Sequence, residues 1–389
     1  MKTIQLKPKN DARVRNGHLW IFSNEIQSNL KGFEPGEIVE VADHNGYFIG
    51  DGYANPHSLI AVRLLTRQHA TIDGHFIFER IREAAERRKY LVPEARCYRL
   101  VFGESDFLPG LVIDRYEEFF VVQSLTAGIE RMLPWIYEAI KKLFNPKGIV
   151  ERNDSSIRKL EHLELNKKIV AGDVSEKVNV DIDGLTFKLD LVNGQKTGFF
   201  LDQRENQKLT RAYVKDKRVL DCFSHVGGWS LNAARFGARE VIGLDISETA
   251  ANQCREHAEI NGLQQCSFKA VNVFDELKKI NDAKERWDVI ILDPPAFAKS
   301  RSEVKDAIKG YREINRRAAK ALTDGGILIT CSCSHAIDPE TFRNTVQQGL
   351  VSAGRDAVLL EIHGQPKDHP IHLSMRETEY LKCLVIQVN

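Results

Sequence analysis

The chain has 389 residues, 42% of them hydrophobic and 28% charged, and a formal net charge of +1. That length exceeds one ordinary domain, and the charge balance excludes a protein that adheres to polyanions over its whole surface. No signal peptide or membrane span is expected, and seven cysteines without a C-x-x-C pair argue against a disulfide scaffold or zinc knuckle and for a reducing cytoplasm.

Residues 1 to about 70 read as short strands broken by turns: Gly36–Val41, Gly46–Gly50 after a His44-Asn45-Gly46 turn, and Ile60–Leu65. This pattern predicts a small β barrel or sandwich. A helical period follows over 75–90, with Phe76, Ile77, Ile81, Ala84 and Ala85 apolar. Strand-like runs at Leu111–Asp114, Phe119–Gln123 and Gly148–Arg152 and a helix over Met132–Leu143 predict a middle α+β unit ending near 180. From Arg218 strands and helices alternate through Glu240–Asp245, Ser267–Val271, Trp287–Leu292 and Gly326–Cys331, predicting a doubly wound α/β sheet. Ala357–Ile362 and Tyr380–Val388 offer two further strands joined by an irregular loop.

In such a sheet, ligands bind at the carboxyl ends of the strands. Asp293-Pro294-Pro295-Ala296-Phe297 and Cys331-Ser332-Cys333-Ser334 both follow apolar runs, so an acid and a thiol are expected to share one pocket. The two prolines stiffen the acid's loop. Cytosine C5 is a poor nucleophile, and a thiolate adding to C6 converts it into an enamine that can take a methyl group. Cys333 is the candidate nucleophile, and Asp293 the group that meets N3 and the amino group as charge develops. Cys331 reads as packing, with backup nucleophile as the alternative, and Cys97, Cys222, Cys254, Cys266 and Cys383 as structural. Phe297 is a candidate to stack on a flipped base.

Asp221 to Gly228 ends the first strand of the sheet and opens a helix, and Asp245 ends the second strand 24 residues after Asp221. A glycine turn at Gly227 with a distal acid suits a nucleoside cofactor whose ribose hydroxyls the acid accepts. The spacing is not G-x-G-x-x-G, so an adenosyl group without diphosphate fits best, which points to S-adenosylmethionine. Asp221, Phe223, Gly227, Asp245 and Asp293 are therefore candidate cofactor residues. Asn272 after the third strand is a candidate for the adenine and equally, by residue type, for a turn. No metal site is expected. Between Lys299 and Lys320 eight Lys or Arg stand against three acids. On a helix Arg301, Lys305, Lys309, Arg312, Arg316 and Lys320 form one stripe opposite Val304, Ile308, Tyr311, Ala318 and Leu322. That stripe is either a solvated face or a phosphate contact, for which Arg312 and Arg316 are the candidates. The loop Gln195–Arg204, with Lys196 and Arg204, is a weaker candidate to cover the cofactor or hold phosphate.

Gly17-His18-Leu19-Trp20-Ile21-Phe22, Gly103–Gly110, Lys196–Arg204, Asp293–Phe297 and Ser332-Cys333-Ser334 together resemble the bacterial large-subunit (23S) ribosomal RNA cytosine-C5 methyltransferases of the RlmI type, over nearly the whole length. The resemblance implies a PUA RNA-binding domain over 1–72, a middle α+β domain over 73–184 and a class I, Rossmann-like methyltransferase domain over 185–389. It implies S-adenosylmethionine as cofactor, with the family's cofactor motif on Asp221–Gly228 and Asp245, and its nucleophilic cysteine on Cys333. Leu19 stands where the family usually has Pro, and His225-Val226 where it has Tyr-Thr. Position 296 is Ala, whereas other RNA cytosine-C5 enzymes carry a second Cys in this loop, so the base that removes the C5 proton is unassigned.

Three other functions compete. A guanine-N7 methyltransferase shares the Asp-Pro-Pro loop but needs no thiol. A uracil-C5 enzyme uses a Cys, yet an acid facing N3 suits cytosine. A non-catalytic PUA-bearing RNA-binding factor would not need Asp293, Cys333 and the cofactor loop intact. The expected partner is RNA, as 23S rRNA or a large-subunit assembly intermediate, with no membrane and with a homodimer left open.

Overall fold

The computed structural model describes residues 1–194, 197–298 and 301–389, Arg301 by its backbone alone. They fall into two compact units. The first is Met1–Asp183 with Lys188–Leu201 and Lys367–Thr378, and the second is Gly184–Phe187 with Asp202–Pro366 and Glu379–Asn389.

The first unit holds two five-stranded sheets. One runs in the order Lys2–Gln5, Glu37–Ala42, Phe48–Ala54, Ile60–Thr66, Trp20–Phe22, with the first pair parallel and the rest antiparallel. Alternating Val39, Val41, Val62 and Leu64 bury one face against Ile4, Leu6 and Ile21. The strand expected from Gly46 starts at Phe48, because the Asp43 carboxylate accepts from the Asn45 and Tyr47 backbone N–H groups and closes a turn before it. The other sheet runs Asn166–Gly172, Gly148–Asn153, Phe119–Ser124, Leu111–Tyr116, Cys97–Phe102, flanked by helices Gly74–Leu91 and Ala127–Phe144. Asp73 caps the first helix, accepting from His75 and Phe76 N–H. The second begins five residues before the expected Met132. Its first turn carries Gly128, where a Cβ would lie 2.2 Å from the Tyr53 ring, so close approach replaces the apolar residue that periodicity looks for.

The irregular loop between the two last strands has a defined place. Met375 is fully buried in the core of the first sheet. The Asp368 carboxylate accepts from Arg99 N–H at 2.9 Å, and its carbonyl accepts from buried Arg88 at 2.9 Å.

The second unit contains a seven-stranded sheet. Its strands are β1 (Arg218–Cys222), β2 (Glu240–Asp245), β3 (Cys266–Ala270), β4 (Trp287–Leu292), β5 (Leu322–Ser332), β6 (Ala357–His363) and β7 (Lys382–Val388), in the order β3-β2-β1-β4-β5-β7-β6. All pairs from β3 to β5 are parallel, and β7 is antiparallel to both neighbours. The helices are α1 (Gly228–Arg235), α2 (Glu248–Ile260), α3 (Val273–Asp282), α4 (Val304–Ala321) and α5 (Pro339–Ser352). Both faces of the central strands are covered, which is why they read as continuous apolar runs. Leu220, Ile290, Leu292 and Leu328 pack with Tyr311 and Ile314 of α4, whereas Val219, Val289, Ile291, Ile329 and Cys331 pack with Trp229 of α1. Each such buried aliphatic side chain contributes about 1.5–3 kcal/mol. Helix α4 buries Ala307, Tyr311, Ile314, Asn315, Ala318, Ala319 and Ala321, while Val304 and Ile308 of the expected apolar side are only partly buried.

Candidate active site

The carboxyl ends of β1, β2, β4 and β5 bring the chemistry together. After β1 the chain turns through left-handed residues, Phe223 at φ 70°, His225 at φ 50° and Gly227 at φ 92°, before entering α1. Two non-glycine residues in that region need support from their surroundings. The Phe223 and Ser224 N–H groups donate to the Leu244 carbonyl at 2.8 and 2.9 Å, and His257 Nδ1 lies 2.9 Å from the Val226 carbonyl. At the end of β2 the half-buried Asp245 carboxylate accepts from His225 N–H at 3.0 Å and Ser247 N–H at 2.9 Å. The acid is thus fixed beside the glycine turn with lone pairs to spare, an arrangement that fits a ribose diol.

Asp221 sits differently from its expected role. It is fully buried, and Oδ2 accepts from the Ser230 hydroxyl of α1 at 2.6 Å while Oδ1 has no hydrogen-bond partner. Burial pushes its carboxyl up to about 7, against the Ser230 bond and with the charges of Asp293 and Asp245 adding. Asp221 supports the turn from beneath and does not line it. Asn272 caps α3, its Oδ1 accepting from Phe274 and Asp275 N–H at 2.9 and 3.3 Å, which gives the turn reading of that residue its geometry.

Asp293, just past β4, has both carboxylate oxygens held by side chains. Gln203 Nε2 donates to Oδ1 at 2.8 Å and Trp229 Nε1 to Oδ2 at 2.9 Å. Gln203 is oriented in turn by Asn206, whose Nδ2 donates to Gln203 Oε1 at 2.7 Å and to the Gly364 carbonyl at 3.0 Å. Neither Gln203 nor Trp229 was singled out from sequence. Gln203 lay in a loop with a weak signal, and Trp229 follows the double glycine as an ordinary core residue would.

On β5 the two thiols separate. Cys331 is fully buried among Trp229, Val289, Ile291 and Cys383, and burial pushes its thiol well above the ordinary range, with the Cys383 thiol beside it adding. Cys333 lies past the strand end and is only partly buried. Its neighbours are braced: Ser332 Oγ donates to the Tyr311 hydroxyl at 3.0 Å, and Ser334 Oγ lies 3.0 Å from the same oxygen. The Ala298 N–H adds a donor to Ser334 Oγ at 3.4 Å, tying this loop to the one that carries Asp293.

Several expected substrate residues need correction. Arg204 is 3% exposed, so its guanidinium is not presented to an RNA backbone. Phe297 is partly buried and packs against Tyr311 at the edge of the core, with ring centroids 4.6 Å apart. Arg316 is half-buried and bonds Glu313 through Nε and Nη2 at 2.8 and 2.7 Å, so its charge is largely spent within α4, whereas Arg312 is exposed. Lys196 lies outside the described residues, as does the Arg301 side chain.

Among the described residues no helix is long and apolar enough to cross a membrane. Residues 4–67 match the PUA-like domain family, and residues 162–355 match the S-adenosylmethionine-dependent methyltransferase family. The chain is similar to ribosomal RNA large subunit methyltransferase I of Aeromonas salmonicida, with 38% identity covering 99% of this chain and 98% of that protein. The protein of the same name from Cronobacter sakazakii is 37% identical, covering 100% and 99%. A chain from Streptococcus mutans, provisionally assigned as a SAM-dependent methyltransferase, superposes with a TM-score of 0.85 over 100% of both chains at 20% identity, which speaks for the fold alone.

Proposed function

We propose, from the premise that this chain belongs to the ribosomal RNA large subunit methyltransferase I family, that it forms 5-methylcytosine through a covalent bond from Cys333 to cytosine C6. The chain is an S-adenosylmethionine-dependent methyltransferase of large-subunit ribosomal RNA. The cofactor supplies an electrophilic methyl group on a sulfonium. The fixed carboxylate of Asp245 and the left-handed turn at Gly227 fit its adenosyl part, with Phe223 at the turn's edge. In this reading residues 1–72 are the RNA-binding module, 73–184 the middle domain and 185–389 the methyltransferase domain. The substrate is 23S rRNA or a large-subunit assembly intermediate, which places the work in the cytoplasm.

The observation that supports the base and the mechanism is the pairing of two adjacent strand ends: a partly buried Cys333 past β5 and, past β4, an acid held by Gln203 and Trp229. The Cys333 thiolate adds to C6, and the C5–C6 π electrons move toward C5. Asp293 accepts from the amino group and gives a proton to N3, which neutralises the negative charge that develops on the ring, and it takes that proton back when the ring is restored. C5 would take the methyl group that the bound cofactor supplies. A base then removes the C5 proton, and the returning electron pair expels the Cys333 thiolate and restores the ring. Guanine N7, which attacks a methyl group unaided, gives no use for such a thiol.

Cys333→Ala is expected to abolish methylation and leave cofactor binding intact, and Cys331→Ala to retain activity. RNA carrying 5-fluorocytosine at the target should trap the enzyme as an adduct that survives denaturation, mapped to Cys333 by peptide mass spectrometry. An active Cys333→Ala enzyme, or an adduct on Cys331, overturns the assignment.

A further inference from the structure

Beneath the Cys333 loop lies a charged side chain that the reaction above does not use. Lys382 opens β7 and pairs across the antiparallel ladder with Ser332, the residue before the thiol. It is 6% exposed. Its Nζ donates to the carbonyls of Ser334 at 2.7 Å, Ile337 at 2.9 Å and Tyr380 at 2.7 Å. An ammonium has three protons, and here each meets one carbonyl. Leaving such a group unpaired inside a protein costs several kcal/mol, so the three bonds fix where the charge stands. Two of the three acceptors belong to the segment that follows Cys333, so the ammonium ties that loop to the base of β7.

We propose that Lys382 is a positioning residue for Cys333, its buried ammonium both fixing the loop that carries the thiol and favouring the thiolate. The inference rests on reading Cys333 as the nucleophile. A cation held close to a thiol in a water-poor setting stabilises the ionised sulfur, whereas carboxylates nearby oppose it. Among the described residues, the groups facing this loop are Tyr311 from α4, His335 and Asp338 within the loop and at the start of α5, and Glu379 before β7, while Asp293 from the end of β4 acts on Cys331 of the adjoining strand. Burial pulls Lys382 down to about 8, with the negative charges of Cys333, Asp338 and Glu379 working the other way, so it stays mostly charged at neutral pH. Burial and the Lys382 charge hold His335 below its usual value, so among the described residues the positive charge bonded to the loop is that of Lys382. With all three protons engaged, Lys382 is suited to hold a field and not to shuttle protons.

The test reads the thiol directly. In the full-length protein, the rate of Cys333 alkylation by iodoacetamide is followed against pH by peptide mass spectrometry, for wild type, Lys382→Met and Lys382→Arg. The wild-type midpoint is expected below the ordinary thiol value of about 8.5. Lys382→Met should raise that midpoint by about one unit and slow alkylation at pH 7 about tenfold, as loss of one neighbouring charge does. Lys382→Arg, which keeps the charge, should hold the midpoint near wild type. In Lys382→Met the methylation kcat should fall, with partial recovery at higher pH, while KM for RNA and cofactor affinity stay unchanged. A Lys382→Met protein with the wild-type midpoint overturns the proposal, because a merely structural lysine would not move it. Should that variant fail to fold, a wild-type midpoint at or above the ordinary value overturns the proposal by itself. The alkylation profile does not depend on catalysis, so an active Cys333→Ala enzyme would sink the nucleophile reading separately.

Discussion

The ends of β4 and β5 hold their working groups by opposite means. Asp293 is fixed at its own carboxylate, by side chains from the Gln203 turn and from α1. Cys333 is fixed through its neighbours: serines on either side bond Tyr311, and Lys382 grips the carbonyls that follow. The difference follows from chemistry. A carboxylate accepts up to four hydrogen bonds and keeps lone pairs for a substrate after two are used. A thiol is a weak hydrogen-bonding group, so most of the rigidity has to come from the backbone and side chains around it.

That contrast can be broken from either side. The largest effect is expected from removing the acid's two donors. Gln203→Ala with Trp229→Phe should lower kcat about 100-fold, since an aimed group loses roughly this much when its supports go. Cofactor affinity and the pH midpoint of Cys333 alkylation should stay put, measured by calorimetry and mass spectrometry. A double variant with wild-type kcat would show that Asp293 does not depend on its donors.

A smaller, pH-dependent effect is expected beneath the acid, at Asp221. Burial pushes its carboxyl up to about 7 in the folded protein, well above the usual aspartate range, so the folded state binds the extra proton over that interval. Stability at this site is therefore fully present below about pH 4 and falls as pH rises toward 7. Asp221→Asn removes the titration and should raise stability at pH 8 by about 2 kcal/mol, flattening that part of the denaturation profile. A profile unchanged by the substitution would mean that Asp221 is ionised in the fold at neutral pH without penalty.

The smallest effect belongs to the thiol side. Tyr311→Phe deletes the hydroxyl that joins Ser332 and Ser334, at a cost of about 1 kcal/mol by urea denaturation. Ser334 Oγ keeps its Ala298 donor and Ser332 Oγ its Ser334 N–H, so the loop should loosen only slightly and kcat should drop a few-fold. A collapse of activity would place more of the brace in that one phenol than in the lysine clamp.

The parts of this arrangement that sequence reveals are those with a local signature. Continuous apolar runs ending in Asp293 and Cys333 mark buried parallel strands, and the turn at Gly227 marks the entry to α1. Residues that act at long range leave no such trace. Gln203 stands ninety positions from Asp293, and Lys382 forty-eight from Ser334, so their pairing exists only in the folded sheet. Arg204, Arg316 and Phe297 mislead for the converse reason: charge and aromaticity are legible, whereas burial, a partner at Glu313 and packing on Tyr311 are not. Helices α3 and α5 leave a weaker trace in the sequence because their apolar faces are short, Val273, Leu277 and Ile280 in the one and Phe342, Val346 and Leu350 in the other.

The excursion of Lys367–Thr378 bears on how the protein is made. Synthesis proceeds from the amino terminus, so the sheet of residues 2–66 in the PUA-like domain emerges from the ribosome before the segment Lys367–Thr378. Its core nevertheless includes Met375, and Gly17 approaches Ser374 so closely that a Cβ would lie 2.2 Å from its hydroxyl oxygen. That sheet thus waits for a segment about three hundred residues later before its interior is complete. A protein lacking that segment carries the sheet with its interior incomplete, which ties completion of the PUA-like domain to synthesis of the methyltransferase strands that precede Lys367.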